Sequence, residues 1–265
     1  MCSACLVDTH AHLGDPKFAG DLDQMVSRAE ASGVRAIIAV GCDLDSSRLS
    51  LALAERFPGV YAALGVHPHE AGQAPLTWFR EIRTMAANPR VVALGEMGLD
   101  YFYDFSPRPV QDEVFRLQLR MARDLGLPVL VHSRESHEDV VSILEREKAQ
   151  EIGGIMHCFS GDRALAQRCV EAGMLLGCGG TLTFAKAGTL RDVLRSLPCE
   201  SLVLETDCPY LAPEPKRGRR NEPAFVAYVA AKLAEIRSQK VEEVATATSS
   251  NVLRLMDRLR IQKGP

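Results

Sequence analysis

Eight short apolar runs, near residues 5–9, 34–41, 60–66, 91–96, 128–132, 152–157, 174–179 and 202–206, recur along this chain, and their regular separation limits its fold more than any other feature. Amphipathic stretches fill the gaps at 22–32, 46–57, 76–87, 109–125, 138–148, 164–172 and 190–197. Strand-like runs that alternate with helical patterns predict a parallel β/α architecture. Eight such units in 265 residues suit a closed (β/α)8 TIM barrel, whose usual size is about 250 residues. The junctions agree. Gly33, Gly59, Gly126 and Gly173 each follow a helical stretch and precede an apolar run, where a helix C-terminus favours glycine. Pro128 opens a run at a position where its missing N–H is tolerated. Two further helical stretches, 223–236 and 241–259, are expected to cover the last side of the barrel. No linker, repeat or low-complexity segment interrupts the pattern, so residues 1–265 read as a single α/β domain.

What stands at the ends of the runs favours a barrel over an open doubly wound sheet. His10 and His12 follow the first run, Glu96 the fourth, His132 the fifth, His157 the sixth and Asp207 the eighth. Residues two apart on a strand share a face, so His10 and His12 can grip one metal from one side. A barrel gathers all its strand ends on one rim, whereas an open sheet gives no equal reason for ligands on five strands. Imidazole and carboxylate suit divalent metals of borderline or hard character. Four histidines and two carboxylates exceed the needs of one tetrahedral ion; two ions bridged by Glu96 use all six. The fourth run holds no lysine to form a carbamylated bridge, and a glutamate can do that work. Alone, His132 or His157 reads as a hydrogen-bonded core histidine. Asp207, after an apolar strand, would be a costly buried charge unless paired or ligating. Jointly the set predicts a metal site.

A composition of 46% hydrophobic and 25% charged residues is that of an ordinary globular protein. The net charge of -3 gives no global nucleic-acid signature, so such a role needs a local basic patch. No apolar run approaches the roughly 20 residues of a membrane span. The N-terminal sequence lacks the pattern of a signal peptide, and a cytoplasmic location is expected. The eight cysteines read as reduced thiols, and the Cys2/Cys5 pair has no second pair with which to form a four-thiolate zinc site.

These residues lie within D-T-H-A-H-L (8–13), G-V-H-P-H (65–69), G-E-M-G-L-D-Y (95–101), H-S-R (132–134), H-C-F-S-G (157–161), L-E-T-D-C-P-Y-L-A-P (204–213) and R-N-E-P (220–223). In that order the strings closely resemble the TatD family of metal-dependent deoxyribonucleases, within the amidohydrolase-like barrels, over nearly the whole chain. Met97, where isoleucine is usual, and Ser249-Ser250-Asn251 depart from the family pattern without touching a candidate ligand. The resemblance implies a TIM barrel and phosphodiester hydrolysis of DNA, as exonuclease or endonuclease. It also implies that His10, His12 and Asp207 hold one ion and Glu96, His132 and His157 the second, with Glu96 shared. Asp207 then serves as general base beside the attacking water. Four imidazoles favour zinc or manganese, whereas family nucleases are assayed with magnesium.

Several groups are candidates for supporting roles. Lys216-Arg217-Gly218-Arg219-Arg220 is the one dense basic run, in the loop after the eighth strand. That loop belongs to a barrel's catalytic face, so Arg217, Arg219 and Arg220 are candidate phosphate binders, with Asn221 and Glu222 fixing the loop. His67 and Arg134 are candidates for substrate contact, and His69 and Glu205 for the shell behind the ligands. Tyr101, Phe102, Tyr103 and Phe105 can either stack on bases or pack their own loop. His137 reads as plain surface. The leading expectation is a monomeric, two-metal DNA exonuclease. Its rivals are an acyl ester hydrolase such as a D-aminoacyl-tRNA deacylase, a small-molecule phosphoesterase or lactonase, and a non-catalytic metal-stabilised scaffold.

Overall fold

The computed structural model describes residues 5–261, so Cys2 lies outside the described residues. Eight parallel strands lie in sequence order: β1 (Leu6–Ala11), β2 (Val34–Val40), β3 (Val60–Leu64), β4 (Val91–Asp100), β5 (Val129–Arg134), β6 (Gly154–Met156), β7 (Met174–Cys178) and β8 (Leu202–Leu204). The helices are α1 (Leu22–Ala31), α2 (Leu44–Arg56), α3 (Trp78–Met85), α4 (Arg108–Leu125), α5 (His137–Arg146), α6 (Arg163–Glu171), α7 (Gly188–Ser196), α8 (Val226–Arg237) and α9 (Val241–Leu255). The expected barrel is therefore present, and α9 stops four residues short of the anticipated end.

Strand alternation divides the core in two. Val7, Ala36, Ile38, Val40, Ala63, Leu130, Ile155 and Val203 fill the barrel interior, whose cluster includes Met256 and Leu259 from beyond α9. The residues between them, such as Ile37, Ala39, Ala62 and Leu64, face the surrounding helices. Gly126 ends α4 in a left-handed conformation, its N–H bonding back to Ala122 and Arg123 carbonyls. Gly33 and Gly173 also take positive φ. Gly59 does not: α2 has already ended at Phe57 in extended backbone, and no left-handed turn is needed there.

The barrel closes where the candidate ligands lie. The Asp207 N–H donates to the His10 carbonyl (2.9 Å), and the His12 N–H donates to the Cys208 carbonyl (2.8 Å). Beneath them the buried Asp8 carboxylate accepts from the Thr206 hydroxyl (2.6 Å) and the Thr206 N–H (2.9 Å). Burial, partly offset by these bonds, pushes Asp8 up to about 7. Closure of the last strand onto the first thus fixes His10, His12 and Asp207 relative to one another. No helix is long and apolar enough to cross a membrane among the described residues.

Candidate metal centre

The period of two that builds the interior also delivers the site. Leu130, Ile155 and Val203 point inward, and two residues beyond each stand His132, His157 and Glu205; two more lead to Asp207. β4 behaves differently. Its register with β5 shifts between Leu94 and Met97, and this bulge accommodates Glu96. Gly98 follows at φ 142°, where an added Cβ would sit 2.0 Å from the His132 carbonyl oxygen, so only glycine lets β4 run this close to β5.

Four overlapping triads gather at and just below the rim: His10, His12 and Glu96; His10, His157 and Asp207; His67, Glu96 and His132; and His157, Cys158 and Glu205. Glu96 links two of them. Its Oε2 is 3.3 Å from His10 Nε2, and its Oε1 is 2.9 Å from His132 Nδ1 and 3.8 Å from His67 Nε2. Asp207 Oδ1 lies 3.3 Å from His12 Nε2 and 3.6 Å from His157 Nε2. All six residues expected as ligands therefore converge. The grouping differs from the one that the resemblance implies: His157 clusters with His10 and Asp207, and His67 joins Glu96 and His132.

The donors fit divalent ions. His10 is 1% exposed, yet neither of its ring nitrogens has a hydrogen-bond partner. Its ring stacks on that of His157 at 3.5 Å between centroids. His157 Nδ1 and Glu205 Oε2 are 3.1 Å apart, within electrostatic contact but without the alignment of a hydrogen bond. Buried polar atoms are almost always paired, so stacked imidazoles with unpaired nitrogens are poor structural elements and good metal ligands.

Charge follows from this crowding. Burial opposes the ionised form of Glu96, but His10 and His67 outweigh it and hold the carboxyl well below its usual range. Asp207 is likewise lowered against burial, by His157 and His12. Burial drives His67 well below the ordinary imidazole range. His157 is raised to about 9: burial opposes, and Glu205 and then Asp207 dominate. Asp207 also takes φ 57°, left-handed backbone that a non-glycine residue adopts at a cost and that aims it at the rim.

The supporting candidates divide. His12, His67, His69, Glu96, His132, Arg134, His157 and Asp207 line one cavity of about 650 Å³, together with Tyr103 and Tyr210. Glu205 is fully buried below it and accepts from the Cys158 N–H (2.7 Å). Asn221 is buried and donates to the Thr206 and Tyr210 carbonyls, holding the loop after β8. The basic run lies outside the cavity lining. Arg220 is engaged by Asp21 at 2.6 and 2.7 Å and by the Lys17 carbonyl. Arg217 stacks over Phe184 at 4.0 Å, and Arg219 is exposed. His137 is half-buried, and its Nδ1 lies 2.7 Å from the Ser133 hydroxyl.

Asp100 and Cys42 escaped the sequence reading. Asp100 Oδ2 is 2.9 Å from His69 Nε2 and 3.1 Å from His132 Nε2, so one carboxylate orients two rim histidines. Its signal was available, because it stands four residues after Glu96 in the same motif. The Cys42 thiol lies 3.8 Å from His12 Nδ1 and 3.9 Å from Glu96 Oε2. Nothing in its run marks it, since the β2–α2 loop alone brings it to the rim.

A closed β/α barrel with clustered imidazoles and carboxylates at one mouth defines a metal-dependent hydrolase of the TIM-barrel type. Residues 7–257 match the family described as TatD related DNase, and the chain belongs to the TatD family of metal-dependent hydrolases. It is 42% identical to YabD of Bacillus subtilis, named an uncharacterized metal-dependent hydrolase, over 94% of this chain and 98% of that one. It is 38% identical to the Enterobacter lignolyticus 3'-5' ssDNA/RNA exonuclease TatD, over 93% and 97% of the two chains. The crystal structure of YJJV, a TatD homologue from Escherichia coli, superposes with a TM-score of 0.90 at 35% identity, covering 95% of this chain and 98% of that one.

Proposed function

We propose that this chain hydrolyses phosphodiester bonds in DNA, removing nucleotides from single-stranded ends at a centre for two divalent ions. The observation that carries the reading is Glu96, whose two oxygens face different histidine clusters as a bridging ligand's would. The names of relatives such as the 3'-5' ssDNA/RNA exonucleases support the substrate class.

His10, His12, His157 and Asp207 would hold one ion, and His132 and His67 the second, with Glu96 shared between them. Such ions supply Lewis acidity, lowering the pKa of water and neutralising charge on phosphoryl oxygens. The protein's own groups do the rest. Asp207, kept ionised against its burial by His157 and His12, accepts the proton of the attacking water at Oδ1. Glu205 holds the Nδ1 side of His157, which leaves Nε2 facing Asp207. Asp100 fixes His132 and His69 from behind. Arg134, at the cavity wall, offers a guanidinium to a neighbouring phosphate.

The test incubates metal-stripped protein with end-labelled single- and double-stranded DNA, restoring magnesium, manganese or zinc, with Asp207→Asn in parallel. Metal-restored cleavage that the variant lacks is the expected result, and the product ladder gives its direction. Protein that binds metal but cleaves no DNA with any ion would overturn the proposal in favour of acyl esters, including aminoacyl-tRNA.

A further inference from the structure

Water-exposed aromatic rings are confined to one place on this protein. Among the described residues, the large aromatic side chains that are exposed are Phe102 (51%), Tyr103 (46%), Phe105 (65%) and Tyr210 (47%), and all belong to loops at the metal rim. They form two groups. Tyr103 and Phe105 stack near-parallel at 5.2 Å and 18°, and both rings stand edge-on to His69. The Arg134 guanidinium lies over Tyr103 at 4.7 Å and over Phe102 at 4.1 Å. Tyr210 stands against His12, 5.9 Å between ring centroids, with Lys17 Nζ 4.7 Å over its ring and its hydroxyl bonded to Asp15. One group therefore borders the His69–His132 side of the cavity and the other the His12–Asp207 side.

Packing of the loops alone accounts for part of this, since Phe102, Tyr103 and Arg134 cover one another. It leaves Phe105 and Tyr210 facing water on opposite sides of the metal rim, Tyr210 with the Lys17 ammonium over its ring and Phe105 stacked on Tyr103, which itself carries the Arg134 guanidinium. Every base has a π-face, so an exposed ring beside a phosphate-binding centre is a sequence-tolerant base platform, and an adjacent cation serves the neighbouring phosphate. Resting on the nucleic-acid reading above, the geometry points to two base-stacking platforms that flank the scissile phosphate. Phe105, supported by Tyr103, takes the base on one side, and Tyr210 takes the base on the other. Both bases must leave their helical stack to be held, which selects unpaired nucleotides at this position.

The experiment places 2-aminopurine, whose fluorescence is quenched by stacking, singly along a phosphorothioate-protected single strand bound to the metal-loaded protein. Quenching is expected at the two nucleotides that flank the scissile linkage. Phe105→Ala should abolish one signal and Tyr210→Ala the other, while Tyr210→Phe should retain it. On unprotected strands each alanine variant should raise KM about tenfold with a smaller change in kcat. That loss should vanish on a strand made abasic at the matching nucleotide. Undiminished quenching in both variants, or a KM penalty that persists on the abasic strand, would overturn the platforms. Wild-type protein that quenches but cleaves no nucleic acid would keep the platforms and remove the nuclease reading. Cleavage without quenching would do the reverse, and neither signal would end both.

Discussion

Glu205→Gln removes one negative charge from the buried floor of the site while keeping the side chain's shape. In the metal-free protein Glu205 is the foremost group raising His157 to about 9, against a burial effect of opposite sign. At about 1.4 kcal/mol per pKa unit, a rise from 6.5 to about 9 makes the protonated imidazole worth about 3 to 4 kcal/mol to the fold. The sign is that of a raised base. The native state binds the proton more tightly than the unfolded chain, so the stabilisation is complete below pH 6.5 and lost as pH rises through 9. Asp207 still attracts the proton in the variant, so the expected cost at pH 6.5 is about 1 to 3 kcal/mol. By pH 10 His157 is neutral in both proteins, and the glutamine amide can donate to its Nδ1, so the gap should close. Urea unfolding of chelator-treated protein at pH 6.5 and pH 10 measures this directly. An equal penalty at both values would show that Glu205 acts through packing or its Cys158 bond, and would refute the charge argument. With metal present the same variant should bind the ion roughly 10- to 100-fold more weakly, as loss of a carboxylate behind a histidine ligand does.

Gly98→Ala should fail to fold, or lose upwards of about 4 kcal/mol, because its Cβ would meet the His132 carbonyl at 2.0 Å with φ at 142°. Circular dichroism and urea unfolding check this, and a stable variant would mean that β4 and β5 can separate. Arg219→Ala should lower the salt slope of single-strand binding by about one, whereas Arg220→Ala should lower the urea midpoint by freeing Asp21. A flattened slope with unchanged stability in Arg220→Ala would place that guanidinium on phosphate instead. Restoring a divalent ion to chelated protein at 100 times its dissociation constant should stabilise the fold by about 2.7 kcal/mol, and an unmoved melting curve would rule out ligation by these residues.

Much of the site was readable along the chain because a parallel barrel turns sequence position into spatial position. Apolar runs bury themselves as strands, strand ends meet on one rim, and period two aims His132, His157 and Glu205 inward, while left-handed backbone turns Asp207 to the same rim. His10 and His12 needed only their own spacing to be seen. The β4 bulge was not readable, since a change of register depends on the partner strand and not on local propensity. Neither was the fate of the basic run: Arg220 is claimed by Asp21, 199 residues away, because the loop after β8 lands on α1's start. Cys42 has ordinary sequence surroundings and gains its place only from the loop after β2, whereas Asp100 shares Glu96's motif but takes its role from His69 and His132 on neighbouring elements. The chain by itself thus determined the barrel, its family and the six residues at its mouth, because hydrophobic periodicity and motif order are local properties. Only the tertiary structure decided which histidine faces which carboxylate, which arginines remain free and which rings meet the solvent, because those outcomes follow from distances between segments far apart in sequence.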